Sequence, residues 1–469
     1  MPDISKPISL AELLKQFHQG QVTVRAHAEQ VIEKAAEQAG LGAVLSLDEE
    51  ALRAAAGAAD TLITAGRARP LEGALLALKD NIDTANLPTT GGTAALTGPA
   101  AADAPALARL TAAGAVAAAK TNLHELAFGI TSNNGCKGPV RNPWNTSLIA
   151  GGSSGGTAAA IAGGILPAGL GTDTGGSVRI PAALCGISGF RPSSGRYPAG
   201  GVVPISSTRD TIGPMGRTVA DIALLDSFMA GKPASLPDQP VPESALPGLR
   251  LGVPRRILWE GLEPGVADVC ERLLQRLATA GVQLIEADPA DLWEDAGAAS
   301  FPIALYEVMQ ELPAYVGARG VGFDDLLAAV GSADVKAILE SQQGEAAIPE
   351  AAWQAALHTH RPAMQKNWAA YFAEHQLDAA LFPTTPLTAR PLGEDETVTL
   401  NGVQTPTFQT FIRNTDHGSV IGAPGISLPA GLSDGLPVGI ELDGLPGQDS
   451  ALLAAAAAIE TVLEPLSAP

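Results

Sequence analysis

Residues 151–192 read GGSSGGTAAAIAGGILPAGLGTDTGGSVRIPAALCGISGFRP, and no other stretch limits the fold of this chain as strongly. Two glycine-flanked serine clusters stand in it, Gly151-Gly152-Ser153-Ser154-Gly155-Gly156 and Thr174-Gly175-Gly176-Ser177. Between them runs an apolar segment of small residues at 158–170. Paired glycines let backbone come close to something and admit conformations closed to other residues. A serine held on such a turn can be presented as a nucleophile, with neighbouring N–H groups turned the same way. Glycine and serine content alone would equally describe two flexible loops.

Short apolar runs alternate with helical patterns on either side of this stretch. Ser9 to Glu12 form a capping-box pattern ahead of a first helix. Further helical patterns cover 24–39 and 48–65, giving an N-terminal helical layer over 1–70. The run ALLAL at 74–78 predicts a buried strand, followed at once by Lys79. A helix with proline in its first turn is expected over 105–113, and a strand over 115–119. A helix start is expected at 121–125. Residues 129–143 and 189–217 are rich in turn residues, and a helix is expected over 219–229. The five prolines of 231–247 mark a surface excursion. Beyond it, 249–253, 265–280 and 282–286 have strand–helix–strand spacing. Residues 293–376 read as mostly helical and 377–385 as a strand; 414–442 reads as a hairpin and 449–463 as a closing helix. The alternation predicts an α/β fold, one large domain with a mixed central β-sheet covered by helices on both faces. Within it, 71–230 form the core that carries the chemistry and 249–469 complete the sheet and the pocket.

Composition narrows the function. The 469 residues are 46% hydrophobic and 17% charged, so a large core can be buried, and with 4% aromatics it is built from Ala, Leu, Val and Ile. The formal net charge of −20 argues against nucleic acid and against an anionic membrane as partners. Cys136, Cys185 and Cys270 make neither a disulfide framework nor a zinc pattern. No basic start precedes an apolar run, and the longest apolar stretches are broken by Gly or Pro. A cytoplasmic protein is the expectation.

A nucleophilic serine usually needs a histidine base, and none of the seven histidines lies in 151–192. The match of GGSSGG to GxSxG is easily met by a glycine-rich run, and the strand that a nucleophile elbow requires is short here. Serine–lysine catalysis is the other route. Lysine accepts a proton only when neutral, so its ordinary pKa of about 10.4 must be lowered by burial or by cationic neighbours. Lys79, at the end of a buried strand, is the right kind of lysine. His124 reads as a surface or capping residue, and Cys185 as a small core residue.

Taken together, ALKDN at 77–81, GGSSGG at 151–156, GTDTGGSVRIPAALCG at 171–186, GFRPSSGRYP at 189–198, DTIGPMGRTVAD at 210–221 and LPVGIEL at 436–442 resemble the amidase signature family, over about 8–465. The resemblance implies an amidohydrolase acting through an acyl-enzyme, with Ser177 as nucleophile. It implies Ser153 as the bridging serine on a cis peptide bond and Lys79 as base. The backbone of Thr174, Gly175, Gly176 and Ser177 would form the oxyanion hole, and the loop backbone at Gly129, Ile130 and Thr131 would line the pocket. Ser154 would bond the relay or merely shape a turn. Asp173 and Arg179 would form a buried support pair. No metal or organic cofactor is implied.

The wording of 189–215 and 413–432 looks most like the bacterial indoleacetamide and mandelamide hydrolase branch, which implies a primary amide of arylacetamide type. Where that branch has proline in Asn-Thr-Asp-Pro-Gly, this chain has His417. Phe301, Tyr306 and Tyr315 could wall an apolar acyl pocket or serve helix packing. The rival readings are a carbamate or aryl-anilide hydrolase, an amidotransferase A subunit that supplies ammonia for transfer-RNA amidation, and a scaffold without activity. A small-molecule amide is the expected partner, and a homodimer is an admissible assembly.

Overall fold

The computed structural model describes residues 8–233, 245–290, 292–466 and 469. Its eleven-stranded sheet is mixed. In chain order the strands are β1 (Val44–Ser46), β2 (Leu75–Lys79), β3 (Val116–Thr121), β4 (Ala168–Asp173), β5 (Ser188–Arg191) and β6 (Thr211–Gly216). They continue as β7 (Arg250–Gly252), β8 (Gln283–Ile285), β9 (Ala379–Pro383), β10 (Gly425–Ser433) and β11 (Leu436–Asp443). Across the sheet the order is β1-β3-β2-β4-β6-β5-β10-β11-β9-β7-β8. The pairs β3–β2, β2–β4, β9–β7 and β7–β8 are parallel, and the remainder are antiparallel.

Helices flank this sheet. α1 (Leu10–His18) is capped by Ser9, whose hydroxyl accepts from the Glu12 N–H at 3.3 Å. Its Leu10, Leu13, Leu14 and Phe17 are fully buried, the stripe expected of an amphipathic helix. α2 (Val24–Glu37) and α3 (Glu49–Thr64) pack against each other, and α4 (Pro105–Ala112) follows with proline in its first turn. α5 (Gly155–Ala162) and α6 (Arg179–Cys185) belong to the serine-rich stretch and have every residue buried. α7 (Val219–Met229) follows β6, and α8 (Pro264–Thr279) links the parallel β7 and β8, a βαβ unit as its spacing predicts. α9 (Leu292–Ala318), α10 (Phe323–Ala329), α11 (Ala333–Ser341), α12 (Glu350–Ala355) and α13 (Arg361–His375) make up the helical 293–376 region. α14 (Thr407–Ile412), α15 (Asp416–Ile421) and the closing α16 (Asp449–Glu460) complete the chain. Among the described residues no helix is long and apolar enough to cross a membrane.

Two expectations are corrected. No helix starts at 121–125: β3 runs to Thr121, and only a single turn, Glu125–Ala127, follows. The backbone donors go elsewhere, Leu123 N–H to its neighbour's Asn122 Oδ1 at 2.8 Å and His124 N–H to the Ser153 carbonyl at 3.1 Å. The turn-rich 189–217 region holds most of β5 and all of β6. There Gly213 answers to packing, since a Cβ on it would lie 2.4 Å from the Phe190 carbonyl. The proline-rich excursion falls largely at 234–244, outside the described residues.

The same closeness recurs where α5 meets the sheet. A Cβ on Gly156 would lie 2.3 Å from the Asn122 carbonyl, 2.5 Å from its nitrogen and 2.7 Å from the Ala43 carbonyl, all backbone atoms. Gly156→Ala is therefore expected to cost at least about 2 kcal/mol, read as a lowered midpoint in urea unfolding; an unchanged midpoint would show that α5 can shift freely.

Candidate active site

The parallel strands β2 and β4 lie side by side, with Leu78 paired to Leu170, so Lys79 leaves its strand beside Thr172. Ligand sites of parallel sheets form at such carboxyl ends. Lys79 is wholly buried. Its Nζ donates to Ser153 Oγ at 2.8 Å and to Thr172 Oγ1 at 2.7 Å, and lies 3.4 Å from the Thr172 carbonyl. Asn81 Nδ2 also donates to Thr172 Oγ1, at 3.0 Å. No carboxylate among the described residues is within ion-pair distance of this ammonium. Burial therefore governs, and it pushes the Lys79 pKa down to about 7 against the distant pull of Asp173 and Asp210.

The peptide bond between Gly152 and Ser153 is cis. The Ser153 carbonyl accepts from His124 N–H at 3.1 Å and from Ser132 Oγ at 3.4 Å. Ser132 Oγ in turn accepts from Gly155 N–H at 3.2 Å. Ser154 fastens the two serine clusters to each other: its N–H donates to the Ser177 carbonyl at 3.1 Å, and its hydroxyl donates to the Thr172 carbonyl at 3.2 Å. Ser177 is half-buried and faces a cavity. Among the described residues its hydroxyl makes no hydrogen bond to Ser153.

Asp173 shapes the loop that carries Ser177. Its carboxylate accepts from the N–H groups of Gly176 at 2.9 Å and Val178 at 3.1 Å. It also accepts from Arg179 Nε at 3.1 Å and Nη2 at 3.0 Å, and from Arg191 Nη1 at 3.2 Å. Burial alone would raise its pKa, but the two guanidinium groups overcome that and hold it well below the usual carboxylate range. Arg179 reaches on to Glu441 at 2.8 Å and to Ser419 Oγ at 2.8 Å. With its N–H given to Asp173, Gly176 is turned away from the cavity, unlike its neighbours Thr174, Gly175 and Ser177, which line it.

The cavity measures about 330 Å³. Gly129 and Ile130 line it; Thr131 does not, and instead donates to Asp395 Oδ1 at 2.7 Å. Of the three aromatic residues considered in α9, Phe301 is a wall residue. Tyr306 stacks on Trp353 with centroids 4.6 Å apart, and Tyr315 donates to Asp83 at 2.8 Å. Ile338 of α11 and Phe408 and Ile412 of α14 also line the cavity, with the Phe408 ring centroid 6.2 Å from that of Phe301. His417 is not in the wall: it is buried among Trp293, Trp368 and Phe382, with Nε2 3.4 Å from Asp443 Oδ2. His124, expected at the surface, is buried beside the cavity, its Nε2 2.9 Å from Asp334 Oδ2. Cys185 is buried, and burial pushes its thiol pKa up. Thr172, Ser132, Arg209 and Asp395 also belong to the site, and no local pattern singles them out. Among the described residues no group of three His, Cys, Asp or Glu side chains is placed to hold a metal ion.

A lysine kept short of counter-charge beside one serine, with a second serine at a cavity, defines a hydrolytic enzyme on an α/β sheet. The family follows from comparison: the pattern of the family described as Amidase matches residues 26–453, and the chain belongs to that family. It is 43% identical over 467 residues to an indoleacetamide hydrolase of Agrobacterium vitis, covering 98% of each chain. It is 40% identical over 481 residues to a mandelamide hydrolase of Pseudomonas putida, covering 97% of this chain and 91% of that one. A crystal structure of an amidase superposes with a TM-score of 0.85 at 34% identity, over 97% of this chain and 100% of the other. The protein is thus an amide hydrolase acting on carbon–nitrogen bonds.

Removing Arg179 would leave Glu441 buried without its cation and Asp173 with Arg191 alone. Arg179→Met should cost about 3–5 kcal/mol in urea unfolding; a loss below 1 kcal/mol, within the range of a surface pair, would show that the network is not buried charge.

Proposed function

We propose that this chain hydrolyses a primary amide of arylacetamide type to a carboxylate and ammonia, through an acyl-enzyme on Ser177. The observation that carries the reading is Lys79, wholly buried, short of a carboxylate, and 2.8 Å from the Ser153 hydroxyl. With a pKa near 7 it is substantially neutral at physiological pH and can accept a proton.

The steps follow from that. Ser177 Oγ turns towards Ser153 and attacks the amide carbonyl. Its proton passes to Ser153 Oγ as Ser153 passes its own to Lys79 Nζ. The negative oxygen of the tetrahedral intermediate is met by the N–H groups of Gly175 and Ser177, neither of which has an acceptor among the described residues. The proton on Lys79 returns through Ser153 to the leaving nitrogen, and ammonia departs. Water then attacks the Ser177 ester, giving one proton to Lys79 along the same relay; collapse returns that proton to Ser177 Oγ, and the acid leaves as a carboxylate after losing its own proton to solvent. Ser154 holds both serine loops to β4 throughout, and Asp173 with Arg179 fixes the turn between Thr174 and Val178.

The substrate class rests on the wall and on the relatives. Phe301, Phe408, Ile130 and Ile338 offer flat and apolar surface to an aromatic acyl group. Indoleacetamide and mandelamide, the amides in the relatives' names, both join an aromatic ring to a short primary amide. An ammonia-release assay over aryl, aliphatic and carbamate amides tests this; preference for an aliphatic amide or a carbamate would overturn the substrate class.

Ser177→Ala is expected to abolish turnover and labelling by a fluorophosphonate while keeping the wild-type unfolding midpoint; near-normal activity would end the proposal. Since the base must be neutral, kcat/KM is expected to rise as pH climbs through about 7. Lys79→Ala should lower kcat/KM by about 10²–10⁴ and remove that limb of the pH profile. If the limb persists, another group is the base.

A further inference from the structure

The cavity beside Ser177 is unevenly charged. Three carboxylates line it, Asp334, Asp395 and Asp416, against one guanidinium, Arg209. Asp416 is cancelled, because Arg209 Nη2 donates to its Oδ1. That same arginine has little left for a substrate: its Nε donates to the Thr174 carbonyl at 3.1 Å, and its Nη1 to the Ser300 carbonyl at 2.8 Å and hydroxyl at 3.1 Å. Asp395 is different. Thr131 Oγ1 donates to its Oδ1 at 2.7 Å and Asn133 Nδ2 to its Oδ2 at 2.6 Å. Both donors are neutral, and no cation among the described residues lies within ion-pair distance of it. Asp334, in the first turn of α11, is held by His124 at 2.9 Å, and its side chain is 43% exposed.

Neutral donors fix a carboxylate in place and leave its charge intact. The remaining wall is largely apolar, so that charge is poorly screened within the cavity. We propose that Asp395, seconded by Asp334, makes the acyl pocket selective by charge: neutral and cationic amides are admitted and anionic ones are turned away. The inference rests on the reading of this cavity as the acyl pocket of Ser177. It also bears on the end of the cycle. Hydrolysis converts a neutral acyl group into an anion in front of these carboxylates, and the same repulsion that bars an anionic substrate drives the product outwards.

The test uses three arylacetamides that differ only in a para hydrogen, aminomethyl or carboxymethyl group. Values of kcat/KM are measured for the wild type, Asp395→Asn and Asp334→Asn, and for the wild type at low and high salt. The anionic amide is expected to be the poorest wild-type substrate. Asp395→Asn should raise the anionic-to-neutral ratio about five- to tenfold, the scale of one charge at pocket distances. Salt should raise that ratio in the wild type, because it screens the repulsion. Should Asp395→Asn fail to fold, the wild-type salt series still decides. A wild type that hydrolyses the neutral amide, with a ratio unmoved by salt and by either substitution, would overturn charge selectivity alone. A wild type that hydrolyses none of the three and is not labelled at Ser177 would overturn the hydrolytic reading, and this proposal with it.

Discussion

The structure turns on a single desolvated ammonium. Lys79 is taken out of water at the end of β2 and offered hydroxyls instead of a carboxylate. Lys120, on the neighbouring β3, shows the alternative. It is equally buried, but it donates to the Ile82 carbonyl at 2.5 Å and Thr89 Oγ1 at 3.0 Å and has Asp80 3.6 Å away. Burial pushes it down to about 8, while Asp80 and Asp83 pull the other way. Two lysines at adjacent strand ends thus have different partners: one has a carboxylate 3.6 Å away, and the other has two hydroxyls and a carbonyl. The small residues around Lys79 serve this arrangement. Gly169 would put a Cβ 2.4 Å from the Ala77 carbonyl, and Gly171 one 2.6 Å from Ser154 Oγ. Larger side chains there would part the strands that shut out water.

Behind the nucleophile loop lies a second set of buried charges. Arg179 and Arg191 face Asp173, Glu441 and Asp443. Burial and the adjacent Glu441 push the Asp443 carboxyl far up. His417 completes the layer as a neutral ring: burial and then Arg179 push it down to about 3. His417 in α15 therefore adds no charge to this layer, and its ring packs against Trp293 and Trp368. Such a layer would be costly if any member lost its partner, and Asp173 ties it to the N–H groups of Gly176 and Val178.

How much could be read from the sequence depended on the range of the interaction. Lys79, Ser153 and Ser177 stood out because their motifs are local and chemically distinctive. Helices α1, α4, α7 and α8 were legible from caps, proline and apolar spacing. The strand β6 was not, because Gly213 and Pro214 read as turn residues until the neighbouring strands are present. His124 was misjudged for a related reason. The partner of its ring, Asp334, is 210 residues away. Thr131 and Asp395 are 264 residues apart, and Arg209 and Asp416 are 207 apart. Tyr306 and Tyr315 show the converse, since aromatic residues on a helix near the pocket are claimed by Trp353 and Asp83.

The lining of the cavity carries a consequence for how such a protein can diverge. The groups that would handle protons, Lys79, Ser153 and Ser177, come from strand ends and loops in the first 180 residues. Most of the wall comes from α9, α11 and the segment 395–416. These two contributions meet in space but are far apart along the chain, and many hydrogen bonds join them, among them Arg209 to Ser300 and Asp416, Thr131 and Asn133 to Asp395, His124 to Asp334, Thr208 to Glu307 and Thr415 to the Gly175 carbonyl. An exchange of wall segments would therefore have to be matched at each of these cross-links, while Lys79, Ser153 and Ser177 take no part in them.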